Sequence, residues 1–133
     1  MFLFDTDIIT NVLKKSPSRK LLRRLAEVSV REQYISTITV AEIVYGAVKS
    51  ARPEFHLDNL ENILLPSVNI VGFDAKAAYV CGRLRANLEK SGLPLALADL
   101  EIASIAIAGN FVLITGNTRH FSRIKELQVE NWL

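Results

Sequence analysis

The sequence predicts an α/β fold, a single domain over residues 1–133 with a central parallel sheet flanked by helices. Short, nearly continuous apolar runs such as Phe2-Leu3-Phe4 and Phe111-Val112-Leu113-Ile114 read as strands buried on both faces. Segments with helical periodicity separate these runs, the order that gives a parallel sheet. A chain of 133 residues fits one domain and can bury a core without disulfides or a structural metal.

Phe2-Leu3-Phe4 forms a first strand ending at Asp5, and a helix follows through Ile8, Ile9, Val12 and Leu13. Ser16-Pro17 predicts an N-cap with proline at the first helical position. That second helix sets Leu21, Leu22, Leu25 and Val28 against Arg19, Lys20, Arg23 and Arg24. Gln33-Tyr34-Ile35-Ser36 is a second strand, followed by a helix from about Thr37 to Ser50 with Ile43, Val44 and Ala47 inward. Arg52-Pro53 breaks it, and a further helix from Phe55 to Leu65 stops at Pro66. Val68 to Phe73 is a third strand. Asp74 to Lys90 is a strongly amphipathic helix ended by Ser91-Gly92. Ala98 to Ala108 is an almost wholly apolar, buried helix closed by Gly109-Asn110, and it feeds the strand that ends at Thr115. The tail adds a helical turn near Thr118 and an edge strand around Gln128-Val129.

Half the residues are hydrophobic and the mean hydropathy is positive. The net charge is +2, short of a strongly basic nucleic-acid footprint, so RNA contact would rest on local patches. The single cysteine, Cys81, shares a helical stripe with Ala77, Leu84 and Leu88 and reads as core packing. The opening apolar run meets Asp5 and Asp7 too soon for a signal-peptide core, and no segment is long and apolar enough to span a membrane. A cytoplasmic protein is expected.

Ligands of open parallel sheets bind beyond the carboxyl ends of the strands. Asp5 ends a strand, Glu42 falls in the first turn of the helix after the second strand, and Asp99 lies near the start of the buried helix. Each also has an ordinary role as a helix cap, with Thr39-Val40-Ala41-Glu42 as a capping box. Together they describe a crevice of carboxylates. Two such groups about 4 Å apart repel by roughly 4 kcal/mol at an effective dielectric of 20, so three are tolerated when a divalent cation compensates them. Oxygen ligands without cysteine or histidine suit Mg²⁺ or Mn²⁺, which bind phosphate oxygens. Glu101 points to another side of its helix than Asp99 and is not counted.

Phe4-Asp5-Thr6-Asp7-Ile8 and Ser36-Thr37-Ile38-Thr39-Val40-Ala41-Glu42-Ile43-Val44-Tyr45-Gly46 resemble the opening of PIN-domain proteins of the VapC toxin type. Arg83-Leu84-Arg85-Ala86-Asn87-Leu88, then Gly92, then Ala98-Asp99-Leu100-Glu101-Ile102-Ala103 continue the likeness. Leu113-Ile114-Thr115-Gly116-Asn117-Thr118-Arg119-His120-Phe121 and Glu130-Asn131-Trp132 complete it over essentially the whole chain. The resemblance implies a Mg²⁺- or Mn²⁺-dependent endoribonuclease that forms a homodimer and pairs with a VapB-type antitoxin covering its active site. It makes Asp5, Glu42 and Asp99 the metal carboxylates, with Thr115 and Asn117 completing the site. Other branches of the family place an aspartate where Asn117 stands. Asp7 replaces an expected asparagine, where it either adds charge to the pocket or caps a helix, the cap being the favoured reading. Structured RNAs such as tRNA or ribosomal RNA are usual substrates in the family, and no residue here selects between them.

Asp5-Thr6-Asp7 also resembles the nucleophile motif of haloacid-dehalogenase-type phosphatases, with Thr115 as a second motif. Those enzymes need a lysine and an acidic pair further on, and beyond Thr115 only Glu126 and Glu130 are acidic. His56 and His120 are read as solvated, with nothing to bring them together. A non-catalytic RNA- or protein-binding module on a degenerate PIN scaffold is the alternative, and the intact carboxylates weigh against it. Lys14, Lys15, Arg19, Lys20, Arg23 and Arg24 follow the first strand closely. They form either a solvated helix face or, with Arg119 and Arg123 on the other side, a rim that contacts RNA phosphates, for which Arg19, Arg23, Arg24 and Arg119 are the candidates.

Overall fold

The computed structural model describes residues 1–133. Five strands, β1 (Phe2–Phe4), β2 (Gln33–Ser36), β3 (Asn69–Val71), β4 (Val112–Ile114) and β5 (Gln128–Glu130), form one sheet in the order β3-β2-β1-β4-β5. Every pairing is parallel, as expected. The helices are α1 (Thr6–Val12), α2 (Arg19–Glu27), α3 (Thr37–Lys49), α4 (Pro53–Asn59), α5 (Ala75–Lys90), α6 (Leu97–Ala108) and α7 (Thr118–Phe121). None is long and apolar enough to cross a membrane.

Strand alternation builds two cores. Leu3 and Leu113 face one side of the sheet, where α5 and α6 supply Ala77, Cys81, Leu84, Ile102 and Ile105. Phe4, Ile35 and Ile114 face the other, against Ile8, Leu21, Leu60 and Trp132. Trp132 closes that second core. Its ring meets Phe4 edge-on, and its indole N–H donates to Glu130 Oε2 at 2.7 Å.

Several local expectations are corrected. Ser18, not Ser16, caps α2 and accepts from the Leu21 N–H, because Asn11 Oδ1 holds the Ser18 N–H and fixes where the helix begins. Leu22 is 44% exposed and does not share the buried face of Leu21. Pro53 sits inside the start of α4 rather than outside it. The predicted helix from Phe55 to Leu65 loosens into a π turn at Leu60–Leu64, where the Leu65 N–H reaches the Leu60 carbonyl, and then a 3-10 turn at Leu65–Ser67. Pro66 offers no N–H to a regular ladder, so the backbone changes pitch before it.

This topology fixes where a site can form. From β1 the chain fills β2 and β3 on one side, then crosses to β4 and β5 on the other. The order therefore reverses at β1, and a crevice opens beyond its carboxyl end. Phe4 pairs with Ile35 and Ile114. The next residues, Asp5, Ser36 and Thr115, thus emerge side by side at that edge.

Candidate active site

Asp5 is the most enclosed of the acidic residues, 6% exposed. One carboxylate oxygen accepts from the Thr6 N–H at 2.8 Å, and the other accepts from Thr115 Oγ1 at 2.8 Å. Thr115 is itself held by the Asn117 N–H at 3.0 Å. Burial pushes the Asp5 carboxyl up to about 6 against the pull of these donors, and the charges of Asp7 and Asp99 raise it further. Asp5 does cap α1, as its ordinary reading required, but that accounts for only one of its oxygens.

Glu42 is exposed and sits in the second turn of α3, not the first. The capping-box reading fails, because Ser36 is the N-cap and its hydroxyl accepts from the Thr39 N–H. Glu42 is instead held from α1, where Thr6 Oγ1 donates to its Oε1 at 2.7 Å. Thr6 Oγ1 also meets the buried Thr39 Oγ1 at 3.1 Å, and Ser36 Oγ donates to Thr39 Oγ1 at 3.3 Å. Each hydroxyl has one proton to give, so the consistent direction runs from Ser36 through Thr39 and Thr6 to Glu42.

Asp99 is the third residue of α6, whose N-cap is Ala96, so its capping role fails as well. Burial raises its pKa, with Glu42 and Asp7 pushing the same way and His120 opposing them. Glu101 is not among the groups acting on it. His120 is not simply solvated. Its Nδ1 is buried without a hydrogen-bond partner and lies 3.8 Å from Asp99 Oδ2.

Asp7 is not a cap. Its Oδ2 accepts from the Gly116 N–H at 2.9 Å, while its Oδ1 is buried with no partner. A Cβ on Gly116 would fall 2.8 Å from that same Oδ2, so glycine is what lets the carboxylate reach the backbone. Burial raises the Asp7 pKa. The Asn117 side chain is exposed and makes no cap bond, and its contribution to the crevice is through its backbone.

The crevice thus gathers Asp5, Asp7, Asp99 and Glu42 within electrostatic reach of one another. No three acidic, histidine or cysteine side chains stand close enough to enclose an ion by themselves. The donor set fits Mg²⁺ or Mn²⁺ in a specific sense. Every acid offers oxygen, Asp7 Oδ1 is unspent, and such a cation keeps several waters, so it need not be enclosed by protein oxygens alone. The basic residues are less uniform than the sequence suggests. Arg19 and Arg23 are exposed, as is Arg119. Arg24 is taken up by Glu130 at 3.2 Å and lies 4.7 Å from the Trp132 ring centre.

Sequence reasoning did not join Thr6 to Thr39, favoured a cap for Asp7 and read His120 as solvated. Thr6 and Thr39 stood inside quoted motifs, yet only the fold shows that residues 33 apart share a hydrogen bond.

A PIN-domain family model matches residues 2–127. The chain is 33% identical over 131 residues to the tRNA(fMet)-specific endonuclease VapC of Shigella flexneri, covering 98% of this chain and 97% of that protein. It is 38% identical over 134 residues to ribonuclease VapC2 of Rickettsia felis, covering 99% and 98%. Among solved structures, VapBC2 from Rickettsia felis bound to a promoter DNA fragment superposes with a TM-score of 0.90 at 36% identity, covering 99% of this chain and 98% of that one. DNA-bound VapBC from Salmonella typhimurium superposes with a TM-score of 0.92 at 32% identity, with coverage of 99% and 98%.

Proposed function

The chain belongs to the PIN-domain family, and from that premise we propose that it is a VapC-type endoribonuclease, the toxin of a toxin–antitoxin pair, cutting RNA with Asp5, Glu42 and Asp99 around Mg²⁺ or Mn²⁺. The observation that carries the site is Asp5. It is a carboxylate buried at the point where the strand order reverses, raised to about 6, with other acids close enough to raise it further. Desolvated like charges without a paired cationic side chain are costly unless a metal ion or a reaction uses them.

What a bound Mg²⁺ or Mn²⁺ supplies is polarisation of a phosphate oxygen and a more acidic water. The chain's own residues provide the rest. Thr115 and the Thr6 backbone fix both oxygens of Asp5. The hydroxyl series ending at Thr6 fixes one oxygen of Glu42, and no protein group bonds the other. Asp99 is contributed by α6, with His120 Nδ1 3.8 Å from its Oδ2. Water attacks phosphorus, the bond to the 3′ oxygen breaks, and the products carry a 5′-phosphate and a 3′-hydroxyl. Thr115 acts by positioning Asp5, and Asn117 by positioning Thr115.

The partners are an RNA substrate and a VapB-type antitoxin, consistent with the VapBC complexes among the similar structures. A homodimer is proposed from the family and the exposed apolar side chains, which include Tyr45, Val48 and Tyr79. Light scattering at micromolar concentration tests it, and a monomer throughout would rule it out. The relative from Shigella flexneri is named for tRNA(fMet), so that RNA belongs in the first substrate set. The decisive assay is cleavage of a mixed RNA pool with Mg²⁺, with Mn²⁺ and with EDTA. Activity that survives EDTA, or products ending in 2′,3′-cyclic phosphate, would overturn the metal-dependent reading.

A further inference from the structure

A cleft of about 560 Å³ opens directly beside the crevice. Thr6 and Glu42 form its near wall, so it is continuous with the carboxylates. From there it runs along α3 past Gly46, between α4 and the end of α1. Gly46 lies one helical turn from Glu42 on the same face, about 6 Å along the axis. A Cβ built at Gly46 would meet nothing within 4 Å, so the cleft is open at that point.

The walls differ in chemistry. On one side Phe55 projects from α4, 46% exposed, with Arg52 stacked 4.1 Å from its ring centre and His56 beside it at 5.3 Å. On the other side the exposed Lys14 and Lys15 follow α1. Neither lysine is engaged in any ion pair of the structure. An aromatic face backed by a cation, facing two free cations across an open floor, suits a molecule with a flat apolar ring and a phosphate.

We infer that this cleft seats an unpaired nucleotide of the RNA, adjacent to the one being cut, with its base against Phe55 and its phosphate toward Lys14 and Lys15. The inference rests on the ribonuclease reading of the neighbouring crevice. Sequence-tolerant recognition of RNA commonly stacks splayed bases on aromatic rings. The charge balance points the same way. Carboxylates alone repel a phosphodiester, and these lysines stand where a strand leaving Glu42 would pass.

The test measures binding apart from cleavage. In an Asp5→Asn background, the affinity for a short fluorescent single-stranded RNA of mixed sequence is compared for Gly46→Leu, Phe55→Ala and Phe55→Trp. Gly46→Leu projects into the cleft from a Cβ that meets nothing within 4 Å and favours the helix, so its melting temperature should not fall. Gly46→Leu and Phe55→Ala should each weaken RNA binding about tenfold. Phe55→Trp should retain it. Lys14→Ala with Lys15→Ala should flatten the dependence of affinity on salt. Wild-type affinity in both Gly46→Leu and Phe55→Ala overturns the inference. So does unchanged RNA binding with lost capture of a VapB-type antitoxin, which would make the cleft a protein groove. Wild-type protein that cuts no RNA would defeat the ribonuclease reading instead, while the binding comparison is still read on its own.

Discussion

Thr6 Oγ1 donates to Glu42 Oε1 across 2.7 Å, joining the first turn of α1 to the second turn of α3. This is the only hydrogen bond that the structure gives the Glu42 side chain. Thr6→Val keeps the shape of residue 6 and removes the donor. Glu42 would then swing freely at the crevice edge, and Thr39 would lose an acceptor. Partners that orient a ligand are typically worth tenfold to a hundredfold in activity. Thr6→Val should therefore cut RNA about tenfold or more slowly, while Thr6→Ser should restore most of the rate. The stability change should stay near 1 kcal/mol, the net worth of one hydrogen bond. Equal rates for the valine and serine variants would show that this contact does not position Glu42.

Much of the fold could be read from the chain. β1 and β4 are continuous apolar runs, and their burial on both faces follows from that pattern. The stripe of Ala77, Cys81, Leu84 and Leu88 likewise predicted the buried side of α5. What the sequence hid depends on long-range placement. Ser16-Pro17 looked like a cap because proline favours that position, and only the tie from Asn11 moves the start to Ser18. Asp7 looked like a cap until β4 brought Gly116 against it, 109 residues on. Asp5, Glu42 and Asp99 were legible as candidates because Asp5 follows a strand and the other two fall in the early turns of helices. The hydroxyl series behind Glu42 was not, since Ser36, Thr39 and Thr6 are ordinary residues until two elements meet.

The elevated Asp5 carboxyl makes stability depend on pH in a defined direction. Its folded pKa of about 6 lies above the ordinary 3.8, so the folded state holds the proton more tightly. Its penalty is fully present above about pH 6 and disappears as pH falls below about 4. Over that interval the penalty amounts to about 3 kcal/mol. Metal-free wild type should therefore gain melting temperature relative to Asp5→Asn as pH is lowered from 7 to about 4. The pairwise comparison reads Asp5 together with its coupling to Asp7 and Asp99 and cancels the acids remote from it. Parallel curves for the two proteins would show that Asp5 titrates as in the unfolded chain.

The basic residues of α2 divide into two kinds. Arg19 and Arg23 are exposed, whereas Arg24 is engaged by Glu130 and the Trp132 ring. Arg19→Ala with Arg23→Ala should weaken RNA binding and lower the slope of log affinity against log salt, by about 0.7 for each lost phosphate contact. Arg24→Ala should instead lower the melting temperature, because it removes an ion pair and uncovers the ring that closes one core. An unchanged salt slope in the double variant would mark this face as only solvated.

Catalysis and architecture separate most cleanly at the three carboxylates. Asn caps a helix about as well as Asp, so Asp5→Asn keeps the bond from the Thr6 N–H, and Thr115 Oγ1 can turn to accept from the new amide. Glu42→Gln retains an oxygen for Thr6. Asp99→Asn loses no cap, because Ala96 holds that position, and forfeits a favourable charge in the first turn of α6 and the charge facing His120 at 3.8 Å. All three variants should fold, and metal-free Asp5→Asn and Asp99→Asn should be as stable as wild type or more so, since burial and nearby acids penalise the charged forms of those two residues. Each should lose most cleavage. Mg²⁺ at tenfold excess over its dissociation constant should stabilise wild type by about 1.4 kcal/mol and the variants by less. Cleavage rates and melting temperatures with and without Mg²⁺ decide the matter for all four proteins. Variants that cut RNA at the wild-type rate would show that these carboxylates only shape the crevice.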